Sequence, residues 1–232
     1  MMSRTVVIHQ PDYLSHLAFF HRFLKADLWV ILDQVQYVSG TSRSWQNRDK
    51  LKTAQGAKWI TVPVQKAPHR TPINQILLAE TNWREDHLNL LQDSYGKAAH
   101  YEEIIPYVRE LYAFRGTRLA EFSLKSADML LGLFDLDIPK VFASDLQPVG
   151  KSNEMLVDIL KKVQADRYLS GVGARAYFEA GPFATAGIEV LWQNFKPPIY
   201  PQLYGEFIPG LSSIDLLFNC GIAKSREVLR SC

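Results

Sequence analysis

The chain has 232 residues, of which 47% are hydrophobic and 22% are charged, and its formal net charge is +2. This size and apolar content suit one large domain with a substantial core. The near-balance of charge argues against a protein that binds duplex nucleic acid, because such proteins usually present a strongly basic surface. A local basic pocket for a phosphorylated small molecule is compatible with it.

The two cysteines, Cys220 and Cys232, provide neither a disulfide framework nor metal-ligand spacing. Residues 1–10 lack the charged and apolar segments of a signal peptide, and no apolar stretch of the sequence is long enough to span a bilayer. We therefore expect a soluble protein of the cytoplasm.

The chain begins with the pattern of a parallel βαβ unit. Residues 5–9 form a β-branched run, residues 15–25 place apolar side chains at helical spacing, and residues 28–32 form a second apolar run. A strand, a helix and a strand in this order pack as two adjacent parallel strands.

The middle of the chain changes from strand patterns to helix patterns. A polar loop is predicted over residues 39–46, a third strand over 59–64 and a short edge strand over 76–78. Residues 83–134 have the pattern of consecutive helices with breaks near 96–101 and 115–117. We expect this block to form an insertion packed beside the sheet.

Strand and helix patterns then alternate again. Strands are predicted over residues 140–143, 167–170 and 188–192, and helical segments over 152–164, 171–183 and 213–220. The whole pattern predicts an α/β fold with a mostly parallel, open sheet of Rossmann-like or nucleotidyltransferase-like type. We expect one domain over residues 1–232, with residues 83–134 as a helical insertion within it.

Polar side chains follow several of the predicted strands, and ligands of open parallel sheets bind beyond the carboxyl ends of the strands. The candidate ligand contacts on this argument are His9, Gln10, Tyr13, Asp33, Gln36, Tyr37, Ser170, Gly171, Gly173 and Arg175. The alternative for Asp33 and Ser170 is that they only cap or terminate turns.

Two further segments carry candidate anion ligands. Asn47, Arg48 and Lys50 follow the polar loop, and an arginine such as Arg48 can hold a phosphate or carboxylate through two hydrogen bonds. Taken alone, this segment is better explained as a solvated charged turn. Residues 170–175 form a glycine-bearing turn that opens a helix, where backbone N–H groups meet anions. That turn lacks the dinucleotide fingerprint, so a purely structural turn explains it equally well.

None of the six histidines forms the i, i+4 pair of a zincin, and neither a Gly-x-Ser-x-Gly elbow nor a Walker loop occurs. We therefore predict no metal site built from ligands that are close in sequence.

Several blocks of the sequence resemble the WbqC-like protein family along nearly the whole chain. They are residues 8–14, 19–20, 26–37, 45–48, 59–64, 168–177, 200–202 and 211–219. Residues 15–18 depart from the family, which typically has Pro-Trp and then a glycine before the two phenylalanines. The resemblance implies a role in the biosynthesis of O-antigen or related surface polysaccharides, and it adds Tyr177 and Gln202 to the candidate substrate contacts.

The first loop also resembles that of adenylyl- and cytidylyltransferases. Tyr13, Ser15 and His16 stand at the first histidine, the glycine and the second histidine of their His-x-Gly-His signature, and only His16 matches in type. Residues 211–213 resemble the serine-containing second phosphate loop of that superfamily. This resemblance implies that His16 lies at a helix start beside the phosphates of ATP or another nucleotide, with Mg²⁺ bound.

We expect a transferase or ligase that acts on a small, nucleotide-linked sugar or carboxylate. His9 is the expected acid or base, because imidazole titrates near neutral pH. Asp33 is expected to orient the substrate, bind Mg²⁺ or act as a base. The expected ligands of anionic groups are Arg48, Lys50 and Arg175, and the expected hydrogen-bonding residues are Gln10, Tyr13 and Gln202.

Two other functions stay open. A non-catalytic scaffold protein of a glycan-assembly complex would show a large exposed apolar patch and no polar-lined pocket. An ATP-dependent nucleotidyltransferase, or an amide or acyl ligase, would release pyrophosphate from ATP. The sequence leaves the substrate, the reaction and a homo-oligomeric state undetermined.

Overall fold

The computed structural model describes residues 3–38 and 44–232. The strands are β1 (Thr5–His9), β2 (Leu28–Ile31), β3 (Arg48–Thr53), β4 (Gly56–Thr61), β5 (Lys140–Phe142), β6 (Arg167–Ser170) and β7 (Glu189–Trp192). The α-helices are α1 (Leu17–His21), α2 (Trp83–Tyr95), α3 (Tyr101–Ala113), α4 (Leu119–Phe134), α5 (Ala143–Leu146), α6 (Ser152–Lys162), α7 (Ala180–Thr185) and α8 (Ser213–Arg230). Within these residues, no helix is both long and apolar enough to cross a bilayer.

The main sheet has five parallel strands in the order β5-β2-β1-β6-β7, which confirms the predicted α/β fold. The central strands β1 and β2 are buried on both faces, as expected for a parallel sheet covered by helices on both sides. Val7 and Trp29 belong to one core with α4 and α8, whereas Val6 and Val30 belong to a second core with α6 and α7.

The order of the strands reverses between β1 and β6. From β1 the chain moves outward through β2 to β5 on one side, and later adds β6 and β7 on the other. Open α/β sheets bind ligands at such a reversal, beyond the carboxyl ends of the strands. We therefore expect a ligand of this sheet to contact the residues that follow His9 and Ser170.

The prediction of a third strand in the main sheet over residues 59–64 is wrong. β4 pairs instead with β3 in a separate antiparallel hairpin, from Arg48 opposite Thr61 to Thr53 opposite Gly56. β3 was missed because its charged residues suggested a turn, so the solvated-turn interpretation of that segment is also wrong. The predicted edge strand over 76–78 is reduced to isolated bridges at Leu77 and Leu78.

The helical block 83–134 is confirmed as α2, α3 and α4, with breaks where they were predicted. Its buried residues join the core that contains Val7 and Trp29, so we infer an insertion within one domain. The last helix is longer than the predicted 213–220. The pattern ended early because Gly221 has φ 74° and ψ 172°, which interrupts the helix before it continues to Arg230.

Candidate functional site

The loop between β1 and α1 is held in a fixed shape by contacts from distant parts of the chain. Leu14 has a φ of 44°, which is unusual for a residue with a side chain. Its N–H donates to Ser126 Oγ at 3.1 Å, and its carbonyl accepts from Ser212 Oγ at 2.6 Å. His16 ends this loop immediately before α1, as the nucleotidyltransferase resemblance implied, and forms a β-bridge with Ser212.

Arg22 directly follows α1 and is only 7% exposed. Its Nε is buried without a hydrogen-bond partner, and no ion pair among the described residues includes this side chain. A Cβ atom on Gly171 would lie 3.7 Å from Nη1, so the guanidinium faces the residue that follows β6. An arginine in this state is a buried cation whose donors are available to an anionic ligand.

Asp12 is the buried carboxylate of the same region. It is 3% exposed, and its Oδ1 has no partner among the described residues. Burial raises the pKa of Asp12 to about 7, although a hydrogen bond from Gln10 and the charge of Arg22 oppose the rise. Gln10 is oriented in turn by Gln46, whose Nε2 donates to Gln10 Oε1 at 2.9 Å. Asp12 can therefore exchange a proton near neutral pH.

His9 ends β1 with its ring half-buried against Phe19, at a centroid distance of 5.1 Å. Its Nδ1 lies 2.9 Å from the carbonyl oxygen of Gln10. Because a carbonyl only accepts, Nδ1 carries the hydrogen and Nε2 keeps its lone pair. Burial, followed by the charge of Arg22, lowers the pKa of His9 well below its usual value. The imidazole is therefore neutral at pH 7 and presents Nε2 as a base.

His16 and Asp49 extend this buried group. The Nδ1 of His16 and the Oδ2 of Asp49 are buried without partners among the described residues. Burial and the charge of Arg22 lower the pKa of His16 to about 4. Burial raises the pKa of Asp49, and the neighbouring Asp12 raises it further. Buried polar groups are normally satisfied, so several unpartnered ones within one electrostatically coupled group point to a ligand site.

An aromatic surface adjoins His16 on the hairpin side. Trp45 contacts His16 at 5.5 Å and Trp59 at 5.4 Å between ring centroids. The Arg48 guanidinium lies 4.3 Å and the Lys50 ammonium 5.0 Å from the ring centre of Trp59. Arg48 and Lys50, which were predicted to bind anions, thus lie on one face of the hairpin. Trp59 and Trp45 connect this face to His16 in the loop after β1.

The carboxylate of Asp33 is occupied by structural hydrogen bonds, which is not expected of a catalytic residue. Its carboxylate accepts hydrogen bonds from the Ser144 N–H at 3.0 Å, the Ser144 hydroxyl at 2.7 Å and Asn74 Nδ2 at 3.1 Å. These bonds tie the end of β2 to α5 and to the segment around Asn74. The geometry therefore favours the turn-capping alternative for Asp33.

Asp33→Ala is accordingly expected to destabilise the protein by about 3 kcal/mol, because three donors would lose their shared acceptor. Urea unfolding measures the change, with the exposed Asp145→Ala on α5 as the matched control. Unchanged stability together with lost ligand binding would return Asp33 to a functional role.

Three other candidates have structural partners. Tyr13 lies fully buried, and its hydroxyl bonds to Tyr112 and lies 3.4 Å from His87, so it is turned into the core instead of toward a ligand. Asn47 donates from Nδ2 to the Val62 carbonyl at 2.9 Å, which fixes the end of the hairpin. Gln202 exchanges hydrogen bonds with the backbone of residue 208 and accepts one from Lys52.

The remaining candidates divide between the site and the surface. Ser170 is buried at the end of β6, and Gly171 lies beside Arg22. Arg175 lies 5.1 Å from the ring centre of Trp192. The outlying residues are Gly173, the exposed Tyr177, the exposed Gln36 with Nε2 3.5 Å from His69, and the half-buried Tyr37, whose pKa is raised by burial.

Sequence reasoning missed Arg22, Asp12 and Asp49. Arg22 carried a weak signal, because it stands between the apolar residues Phe20 and Phe23 of the predicted helix, and a buried arginine is rare unless it has a partner. Asp12 stood in the first block of family resemblance but was not selected. Asp49 carried no signal, since an aspartate between an arginine and a lysine resembles an ordinary surface charge run.

Comparisons with known proteins extend over nearly the whole chain. The protein-family model described as "WbqC-like protein family" matches residues 10–227. The uncharacterized protein Rv1507c of Mycobacterium tuberculosis is 32% identical over 232 residues, which cover 99% of each chain. No solved structure matches the chain significantly. No group of three or more His, Cys, Asp or Glu residues within 3–38 and 44–232 is arranged to hold a metal ion.

Proposed function

Because the chain belongs to the WbqC-like protein family, whose matched segment includes Asp12, Arg22 and Gly171, we propose that it is an enzyme that transfers a group to or from an anionic small molecule. The substrate lies at the reversal between β1 and β6, with its phosphate or carboxylate on Arg22. His9 and Asp12 move the protons. The resemblance to the family supports a substrate among the nucleotide-linked precursors of surface polysaccharides.

The observation that carries this proposal is the buried Arg22 without an ion pair among the described residues. Burying an unpaired charge costs several kcal/mol. A protein that only scaffolds others gains nothing from that cost. A phosphate or carboxylate offers two oxygens to the planar fork of the guanidinium, and the bound anion offsets the cost.

The proton transfers follow from the states of His9 and Asp12. His9 Nε2 accepts the proton of an attacking hydroxyl or amine, and protonated Asp12 gives its proton to the departing group. Afterward His9 is a cation and Asp12 an anion. Because Nδ1 of His9 lies 3.7 Å from Oδ2 of Asp12, the two charges formed in the step stabilise each other.

A second candidate function is an ATP-dependent nucleotidyltransferase or an amide or acyl ligase. It is favoured by the bridge between His16 and Ser212, because these residues stand in the two segments that resemble the phosphate loops of nucleotidyltransferases. In that reaction a substrate oxygen would attack the α-phosphorus of ATP, taken up with Mg²⁺. The bond from that phosphorus to the bridging oxygen would break, the adenylyl group would be transferred, and the released pyrophosphate distinguishes the reaction from simple transfer.

The test uses isothermal titration with pyrophosphate, ATP and a nucleoside diphosphate sugar, with and without Mg²⁺. We expect at least one of these anions to bind the wild-type protein. Gly171→Leu is expected to weaken binding roughly tenfold or more, because its side chain would occupy the space beside Arg22 Nη1. Gly173→Leu is the matched control, since a Cβ there meets no atom within 4 Å.

Two results would count against the proposal. One is that no anion of the panel binds the wild-type protein. The other is that Gly171→Leu and Gly173→Leu bind as tightly as the wild type, which would place the anion away from Arg22.

A further inference from the structure

Gln193 directly follows β7, beside the point where Gly171 follows β6, because Ser170 and Trp192 are paired in the sheet. It is 9% exposed, and its backbone N–H donates to the Ser170 carbonyl at 2.8 Å. A Cβ atom on Gly171 would lie 4.0 Å from Gln193 Oε1 and 3.7 Å from Arg22 Nη1. Gln193 and Arg22 therefore border the same space beside Gly171.

The hydrogen bonds of the Gln193 amide fix which of its two ends faces this space. Nε2 lies 2.8 Å from the Ala18 carbonyl oxygen, which only accepts hydrogen bonds, so the amide nitrogen and not the oxygen occupies that position. Nε2 also lies 3.1 Å from His21 Nδ1. Both hydrogens of the amide are thereby engaged, and Oε1 is the end that faces Gly171.

His21 fixes the direction of the second of these bonds. Its Nε2 lies 3.2 Å from the Cys232 carbonyl oxygen, so Nε2 carries the hydrogen and Nδ1 keeps a lone pair for the Gln193 amide. Burial lowers the pKa of His21, which favours this neutral form. Contacts from α1 and from Cys232 thus hold the amide in one orientation.

Gln193 Oε1 is an acceptor that receives no hydrogen bond from the residues that the structure describes. A ligand can reach it, because it is not enclosed in the way that Arg22 Nε is, and the same holds for Arg22 Nη1. The space beside Gly171 is therefore bordered by one charged donor and one neutral acceptor. A ligand that only accepts hydrogen bonds would satisfy Arg22 but would remove water from the amide oxygen without replacing it, which is unfavourable.

We propose that Gln193 is a specificity-determining residue that accepts a hydrogen bond from a hydroxyl group of the substrate while Arg22 holds the neighbouring phosphate or carboxylate. The inference rests on the proposed function, because it uses the anion position on Arg22. It narrows the substrate class to anions that carry a hydroxyl group, as sugar phosphates do. An ammonium group also donates hydrogen bonds, but the positive charge of Arg22 beside Oε1 repels it.

The test compares the affinities of 2-hydroxyethyl, ethyl, 2-methoxyethyl and 2-aminoethyl phosphate for the full-length protein by isothermal titration. We expect the hydroxyethyl ester to bind roughly fivefold more tightly than each of the others, as for one hydrogen bond. The methoxy ester keeps the oxygen and lacks the hydrogen, and the ethyl ester controls for the size of the methoxy group. Equal binding of these three esters would overturn the proposal, and so would tightest binding of the aminoethyl ester, which would assign Oε1 to a cation.

Gln193→Met keeps the length of the side chain and removes the acceptor. The preference for hydroxyethyl over ethyl phosphate should disappear in this variant, whereas Gln75→Met, at an exposed position, should keep it. Because the preference is a ratio of two affinities measured on the same protein, a partial loss of folded protein does not alter it. A preference that persists in Gln193→Met would contradict the proposal. If Gln193→Met does not fold, the comparison of esters on the wild-type protein decides.

The same titrations separate this inference from the proposed function. Equal binding of all the esters to the wild-type protein, with loss of binding in Gly171→Leu, would remove the role of Gln193 and leave the anion position on Arg22 standing. Binding of none of the esters would count against the anion position itself, and the role of Gln193 would fall with it.

Discussion

Arg22→Met is expected to make the protein more stable and to abolish its binding of anions. The guanidinium is buried, and its Nε lacks a partner among the described residues, so the folded protein bears the cost of removing a charge from water. Methionine has a similar length and packs well against an aromatic ring. In the wild-type protein, the guanidinium carbon of Arg22 lies 5.5 Å from the centre of the Phe19 ring. We expect the free energy of unfolding to rise by about 1–3 kcal/mol.

The loss of binding in the same variant follows from the loss of two charged hydrogen bonds. Such bonds contribute about 1.5–3 kcal/mol each, so the affinity for pyrophosphate should fall by a factor of about 100 or more. Urea unfolding and calorimetry on the same samples measure both effects. Arg109→Met, at an exposed position of α3, is the control and should change neither. A destabilised Arg22→Met that still binds pyrophosphate would refute the role of Arg22.

The wild-type protein is expected to lose stability as the pH rises from about 4 to about 7, because Asp12 is buried. Asp12→Asn is expected to abolish this loss. Burial raises the pKa of Asp12 from 3.8 to about 7. Below pH 4 both the folded and the unfolded chain hold the proton, and this side chain costs nothing. As the pH rises, the unfolded chain loses the proton first, so the folded state becomes relatively less stable until the pH passes 7. A difference of about three pKa units corresponds to about 4 kcal/mol.

Urea unfolding of both proteins at pH 4.5 and pH 8 isolates this contribution. The groups that act on Asp12 are Gln10, Arg22, Asp49 and His9, and all of them are present in both proteins. We expect Asp12→Asn to gain stability relative to wild type at pH 8 and to gain much less at pH 4.5.

Asp158→Asn provides a control of the opposite sign. The neighbouring Lys162 lowers the pKa of Asp158, so the stability that Asp158 contributes is present above its unfolded pKa and is lost as the pH falls. If the stability difference between Asp12→Asn and wild type does not vary with pH, Asp12 does not titrate near neutrality and is not the acid of the proposed reaction.

The central strands were predictable because a parallel sheet imposes a simple rule on sequence. β1 and β2 are buried on both faces, so their sequences are short and mostly apolar. β3 escaped prediction because its sequence, Arg-Asp-Lys-Leu-Lys-Thr, carries charges at positions that tertiary contacts bury. Lys52, for example, is fully buried with its ammonium bonded to Gln202, a partner 150 residues away.

The difference between local patterns and contacts from distant residues also explains which site residues could be predicted. His9 and Gly171 follow strands, so the rule that ligands bind beyond strand ends selects them directly. Arg22 enters the site from the end of a helix that folds back over the sheet, and its neighbour Gly171 lies far away in the sequence. Local patterns contain no information on such a contact. Asp33, in contrast, satisfied the rule and proved to be bonded to α5.

The hydrogen bond from Ser212 to the carbonyl of Leu14 joins residues that are 198 positions apart. During translation, at about 5–20 residues per second, the β1 loop therefore leaves the ribosome well before the serine that holds it. A nascent or prematurely terminated chain that lacks α8 would carry His9, Asp12 and Arg22 without the contact that sets their loop. If the proposed function is correct, chains that end before α8 would therefore lack activity even though they contain all three of these residues.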